Sequence, residues 1–179
     1  VITICLLGTG QLWAQAGLHL KTNPKWEAGI HIGDPPKRRA LGRFHLLIQY
    51  PATPTSDQLR LLAGSGVTLL SYIPDNGFAA AADDAASLKG LGFQWAGRLR
   101  PADKISPAYG QSQTGVVEFY PDVDPNDARS IVLEARLKIQ DHPDLLPNHL
   151  LVALTLSQAR ALAAWDEVAY IFPASGDLA

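Results

Sequence analysis

The constellations closest to a metal-site spacing sit in the C-terminal half. His142 and His149 flank a turn with Asp144 between them. Two imidazoles and one carboxylate on a flexible loop lack the fixed surroundings a metal site needs, so solvated side chains are the expectation. Asp122-Val123-Asp124-Pro125-Asn126 resembles the first half of a calcium loop. Asp127, however, occupies the position that needs glycine, and Leu133 the one that needs a bidentate acid. The same residues read better as a helix start, with Asp124 as cap and Pro125 in the first turn. HExxH, CxxC, GxSxG and a glycine-rich phosphate loop between strand and helix are all missing, and Gly8-Thr9-Gly10 is too short a match. Ser, His and Asp all occur, but no spacing joins them into a triad. The expectation is a non-catalytic chain with no metal and no cofactor.

The elements that carry these residues are organised around VTLLSYIPDNGFAAAA, residues 67–82. Two apolar runs meet there at Pro74-Asp75-Asn76-Gly77. Asn-Gly supplies the positive φ values of a tight hairpin, and Pro74 cannot donate into a ladder. A related hairpin, LKIQDHPDLLPNHLLVALT, follows at 137–155, where Pro143-Asp144 repeats Pro74-Asp75 and Asn148 answers Asn76. Other positions keep a similar offset: Tyr50-Pro51 with Tyr120-Pro121, Pro54 with Pro125, and Leu88 and Leu91 with Leu162 and Trp165. The chain reads as a two-fold repeat of small units.

In the first unit, residues 43–107, Phe44, Leu46, Ile48 and Tyr50 alternate with His45, Leu47 and Gln49, the period of a strand with one buried face. Thr53-Pro54 opens a helix carrying Leu59, Leu62 and Ala63. The hairpin follows, then a second helix capped by Asp83 or Asp84 with Ala85, Leu88 and Leu91, and a strand in FQWAGRL. The second unit, residues 115–175, gives the same order: a strand at 116–120, a helix from Asp124-Pro125 through Ala135, the second hairpin, a helix capped by Thr155 or Ser157 through Trp165, and a strand in VAYIF. Each is a βαββαβ unit of ferredoxin-like type, so the fold class expected is α+β: two tandem units, antiparallel sheets with helices on one face. Trp95 and Tyr170 take comparable places in the two fourth strands, where the expectation is core filling between sheet and helices.

The chain of 179 residues is 47% hydrophobic and 18% charged, enough to bury a core. A net charge of −2 gives no reason to expect nucleic acid or an anionic membrane as partner. Lys37-Arg38-Arg39 beside Pro35-Pro36 reads as solvated linker. Residues 1–16 are uncharged and end in Ala14-Gln15-Ala16, a small-x-small cleavage pattern before Gly17. They read as a partial signal peptide, followed by a linker at 17–42. Cys5, the one cysteine, falls in that leader, so the mature chain would hold no disulfide. The expected location is secreted or cell envelope, with no membrane contact beyond the signal peptide.

The run PTSDQLRLLAGSGVTLLSYIPDNGFAAAA, followed by GLGFQWAGRLRPADKISP, resembles the N-terminal propeptide-like region of exported bacterial subtilisin-like serine peptidases. Regions similar to it also precede matrixin-type zinc peptidases. The second unit, ending in WDEVAYIFPAS, looks like a further propeptide-type domain. The resemblance implies a pro-region that acts as intramolecular chaperone and cleft inhibitor of a peptidase catalytic domain, expected in the same polypeptide and beyond Ala179. By position, the segment entering the cleft would be Phe172, Pro173, Ala174, Ser175, Gly176 and Asp177, added as a strand. The other reading is a stand-alone extracellular binding or assembly module.

Overall fold

The computed structural model describes residues 29–32, 36, 38–176 and 178. The signal-peptide residues, with Ala14, Ala16 and Gly17, lie outside the described residues, as do much of the linker and Asp177. The fold is α+β. Its first part holds β1 (Gly29–His31), β2 (Arg43–Gln49), α1 (Ser56–Gly64), β3 (Val67–Ile73), β4 (Gly77–Asp83) and β5 (Trp95–Gly97). Two 3-10 turns, Pro101–Lys104 and Pro107–Tyr109, lead to β6 (Thr114–Phe119), α2 (Pro125–Glu134), β7 (Lys138–Gln140), β8 (His149–Ala153), α3 (Leu156–Leu162) and β9 (Val168–Pro173). The sheets run β1-β5-β2-β4-β3 and β7-β8-β6-β9, antiparallel except for the β1–β5 pair. Numbered from β2 in the first sheet, with β1 set aside, and from β6 in the second, both sheets have the order fourth, first, third, second. No helix among the described residues is long and apolar enough to cross a membrane.

Local chemistry explains most of these boundaries, with some shifts from the expected ones. β3 ends at Ile73, before Pro74. The positive φ angles fall on Asp75 (66°) and Asn76 (57°), one residue earlier than an Asn-Gly turn, and Gly77 already opens β4. Asp and Asn tolerate the left-handed region well enough for this. The cap of α1 is Thr55, not Thr53: Thr55 and Gln58 form a reciprocal capping box, which Thr155 and Gln158 repeat at α3. Asp124 caps α2 by accepting from the Asn126 N–H at 2.8 Å.

The helix expected after Asp83 or Asp84 is absent. Asp83 is spent on β4, where it pairs with Arg43, and its N–H donates to the Gly66 carbonyl. Gly90 and Gly92 then take φ angles of 74° and 79°. Too few residues remain between them to repay helix nucleation. The equivalent stretch before β9 holds no glycine and forms α3. The stretch read as linker also contributes: β1 adds in parallel to β5, and Arg38 bridges Trp165.

The largest departure concerns the faces of the first sheet. Leu46, Ile48 and Tyr50 pack with Leu62 of α1 and with Val67, Ala80 and Leu91. The opposite face, expected to meet solvent or a partner, is buried too: Leu47, Ala79 and Trp95 join the core cluster of the second unit, with Phe119, Val132, Leu162 and Ile171. Trp95 therefore fills the junction between the units rather than the space under a helix. Tyr170 is half-buried, its ring stacked on Phe172 at 6.2 Å.

Candidate functional site

His45 sits at the third position of β2, on the sheet face turned toward the second unit, and is 2% exposed. Its Nδ1 lies 2.8 Å from Asp166 Oδ2 and its Nε2 3.0 Å from Asp122 Oδ1. Ionised carboxylates only accept, so both ring nitrogens donate and the ring is an imidazolium. The His45 backbone N–H also donates to Asp166 Oδ2 at 2.8 Å, and Arg43 pairs with the other oxygen of Asp122 at 3.2 Å. Burial is the largest influence on His45 and pushes its pKa down, but the two carboxylates together outweigh it and the net shift is upward. For Asp122, burial pushes upward, and His45 with Arg43 reverses this to a net lowering. Tyr120 closes the ring face, parallel to the imidazole with centroids 4.1 Å apart, and burial raises its phenol pKa well above the ordinary value.

The second unit supplies these partners from the ends of its elements. Tyr120 and Asp122 follow β6 in a turn held by the Val123 N–H to the Tyr120 carbonyl at 3.1 Å. Asp166 lies between α3 and β9, and its N–H donates to the Arg38 carbonyl at 3.0 Å. Its neighbour Glu167 is fully buried, and Oε1 accepts from the Ala40 and Leu41 N–H groups at 2.5 and 2.9 Å. Lys104, on the first 3-10 turn, is 5% exposed and donates to the Trp165 and Asp166 carbonyls at 2.8 and 3.3 Å. Burial lowers its pKa to about 8 against the opposing pull of Asp166 and Glu167. His45, Tyr120, Lys104, Asp166 and Arg98 border one pocket of about 410 Å³.

While the ring is protonated, both nitrogens donate and His45 has no lone pair for general-base or metal-ligand work. Its chemistry is to tie one unit to the other through charged hydrogen bonds, shielded from solvent where such bonds are strongest.

The sequence-derived candidates are dispersed. Phe172 and Pro173 belong to β9, opposite Val116 and Gly115. Ala174 donates to the Thr114 carbonyl at 3.1 Å, and Ser175 and Gly176 are exposed. His142 stays within its own turn, with its Nδ1 accepting from the Asp144 N–H at 3.3 Å and its carbonyl from the Leu145 N–H at 3.4 Å, and His149 Nδ1 lies 3.0 Å from Asn148 Oδ1. Among the described residues no group of three His, Cys, Asp or Glu could hold a metal. Sequence reasoning missed the His45 cluster. One signal was available: Leu47 lies between His45 and Gln49 on the face assigned to solvent, and such a mixed row suits burial on both faces.

A family model described as a domain of unknown function (DUF8729) matches residues 11–100, which contain His45 and Arg98 but not Lys104, Tyr120, Asp122 or Asp166. No curated protein matches the chain.

Proposed function

The chain belongs to the DUF8729 family, a domain of unknown function, and from that premise we propose that it is a non-catalytic, propeptide-like module of an exported peptidase, built from two ferredoxin-like units of which the first has dispensed with its second helix. The shared strand order of the two sheets supports the ferredoxin-like reading. The observation that carries the pro-region reading is the exit of the chain from the second sheet. β9 is an outer strand, and beyond Pro173 the chain runs on through small residues, with Ser175 and Gly176 exposed. The segment leaves the sheet edge through small residues and then turns, the Leu178 N–H donating to the Ser175 carbonyl at 3.0 Å; opening that turn would let it add to a peptidase cleft as a strand. A rigid body behind the segment lowers the ordering cost of binding. The His45 cluster supplies that rigidity and no catalysis.

The test has two parts. Sequencing past the codon for Ala179 is expected to find an in-frame Asp/His/Ser or HExxH peptidase domain. Refolding that domain with and without the purified chain is then expected to show faster recovery of activity, followed by inhibition. A stop codon at 180, combined with no inhibition of the host's exported peptidases, overturns the proposal. That result favours a stand-alone binding module, for which the exposed Tyr72 on the outer strand β3 is the most prominent contact residue.

A further inference from the structure

Residues 38–42 lead into β2 as an irregular stretch that touches both units. Arg39 pairs with Asp84 in the first, and the Arg38 carbonyl accepts from the Asp166 N–H in the second at 3.0 Å. The next two N–H groups, of Ala40 and Leu41, both donate to Glu167 Oε1. Glu167 is fully buried, yet its other oxygen, Oε2, has no hydrogen-bond partner among the described residues. A buried acceptor left without a donor costs free energy that an added donor recovers. The Ala40 amide has one proton, already given to Oε1 at 2.5 Å, whereas an ammonium at the same nitrogen would have three. The two residues before that nitrogen are arginines, in a stretch where Arg38, Ala40 and Gly42 are exposed. Exposed irregular segments are where folded chains are cut most readily. Of the other arginines, Arg43 opens β2, Arg60, Arg129 and Arg160 lie in helices, and Arg100 precedes Pro101.

We infer that the Arg39–Ala40 bond is a processing site for a peptidase that cuts after arginine, and that the cut creates an ion pair between the new Ala40 ammonium and Glu167. The step is a hydrolysis, with water as co-reactant and no change of oxidation state. The C–N bond breaks, the Arg39 carbonyl carbon takes the hydroxyl and the Ala40 nitrogen takes the proton. The acid so formed then passes its proton to the amine, giving a carboxylate on Arg39 and an ammonium on Ala40. That ammonium keeps its place beside Oε1 and has protons to spare for Oε2. Glu167 is already out of water, so the pairing adds only the desolvation of the amine. Charge-assisted hydrogen bonds shielded from solvent are the strong ones. Glu167 follows Asp166, the residue that holds His45, so the cut fastens the second unit to the start of β2. β1 remains on the other piece, paired with β5.

The experiment treats the folded full chain with an arginine-specific peptidase and locates the first cut by intact mass and N-terminal sequencing. The cut is expected between Arg39 and Ala40. The nicked chain is then acylated with acetic anhydride across pH, in its native state and in urea, and labelling of the Ala40 amine is read by mass spectrometry. At neutral pH the native amine is expected to react at least about tenfold more slowly than the same amine in urea, and its reactivity to appear at a higher pH. The direction is diagnostic, because burial alone favours the neutral amine and moves the profile to lower pH. In a nicked Glu167→Gln chain the profile is expected to lose the upward displacement. A first cut elsewhere, an uncut Arg39–Ala40 bond, or a native profile at or below that in urea overturns the inference. So does a folded Glu167→Gln chain with the native profile. If that variant does not fold, the direction of the profile in the native nicked chain still decides.

Discussion

His45 concentrates the energetics of the junction in one side chain. A buried ion pair is weak evidence of net stabilisation, because desolvation offsets the Coulomb gain, but removing one partner strands the others. Asp166→Ala is therefore expected to cost about 3–5 kcal/mol in denaturant unfolding. Removing the exposed Asp57–Arg60 pair is expected to cost at most about 1 kcal/mol. The pH dependence follows from the directions of the shifts. The raised His45 pKa gives stability that is full below its ordinary value of 6.5 and is lost as pH rises through the folded value. Asp122, with a lowered pKa, contributes stability above its ordinary value of 3.8, lost as pH falls through the folded value. Lys104 acts oppositely to His45: its buried charge is a penalty below about 8, relieved as pH climbs toward its ordinary 10.5. Denaturant melts across pH are expected to show a maximum between the Asp122 and His45 transitions, with His45→Gln removing the first part of the alkaline decline. An unchanged alkaline limb in that variant would mean that His45 is not the titrating group.

At the scale of elements, capping separates what formed from what did not. Thr55 and Thr155 each satisfy an orphan N–H and are answered by a glutamine three residues on. Thr55→Ala is expected to cost about 1 kcal/mol in denaturant unfolding, whereas Thr53→Ala, two residues before the cap, is expected to stay within about 0.5 kcal/mol. Equal losses would move the start of α1. The missing helix after β4 carries the complementary lesson. Leu88 and Leu91 still pack on the first core from an irregular segment, so their apolar spacing recorded burial rather than helical period. The strands and turns were legible because they keep their chemistry: Tyr50 and Tyr120 both stand buried just past β2 and β6. Helix identity was less legible, because two glycines at positive φ outweigh a few favourable side chains.

For the whole molecule, the two sheets share a core. Leu47, Ala79 and Trp95 lie in the same buried cluster as Phe119, Leu162 and Ile171, and the connector after the first 3-10 turn lies along β9, with the Ser106 N–H on the Ile171 carbonyl at 2.8 Å. The two sheets thus share a strand order and pack as one body. The chain is expected to unfold in a single calorimetric transition with matching calorimetric and van't Hoff enthalpies. Residues 43–107 expressed alone are expected to bind a hydrophobic dye through the uncovered face of the first sheet. Two separated transitions, or a well-packed isolated first unit, would show that the shared cluster contributes little.

The sequence by itself determined the α+β class, the hairpins and the strand sequence, since period, proline, glycine and caps act within a few residues. The tertiary structure decided what the two sheets bring together at their junction. Period-two alternation assigns residues to faces but does not state what covers each face, so His45 read as a solvent-side residue of β2. Its partners Asp122 and Asp166 lie 77 and 121 residues away, and nothing local to either residue points to the imidazole. Only docking of the first sheet on the second unit brings the imidazole between them, places Lys104 against the carbonyls after α3, and opens a pocket of about 410 Å³ beside both.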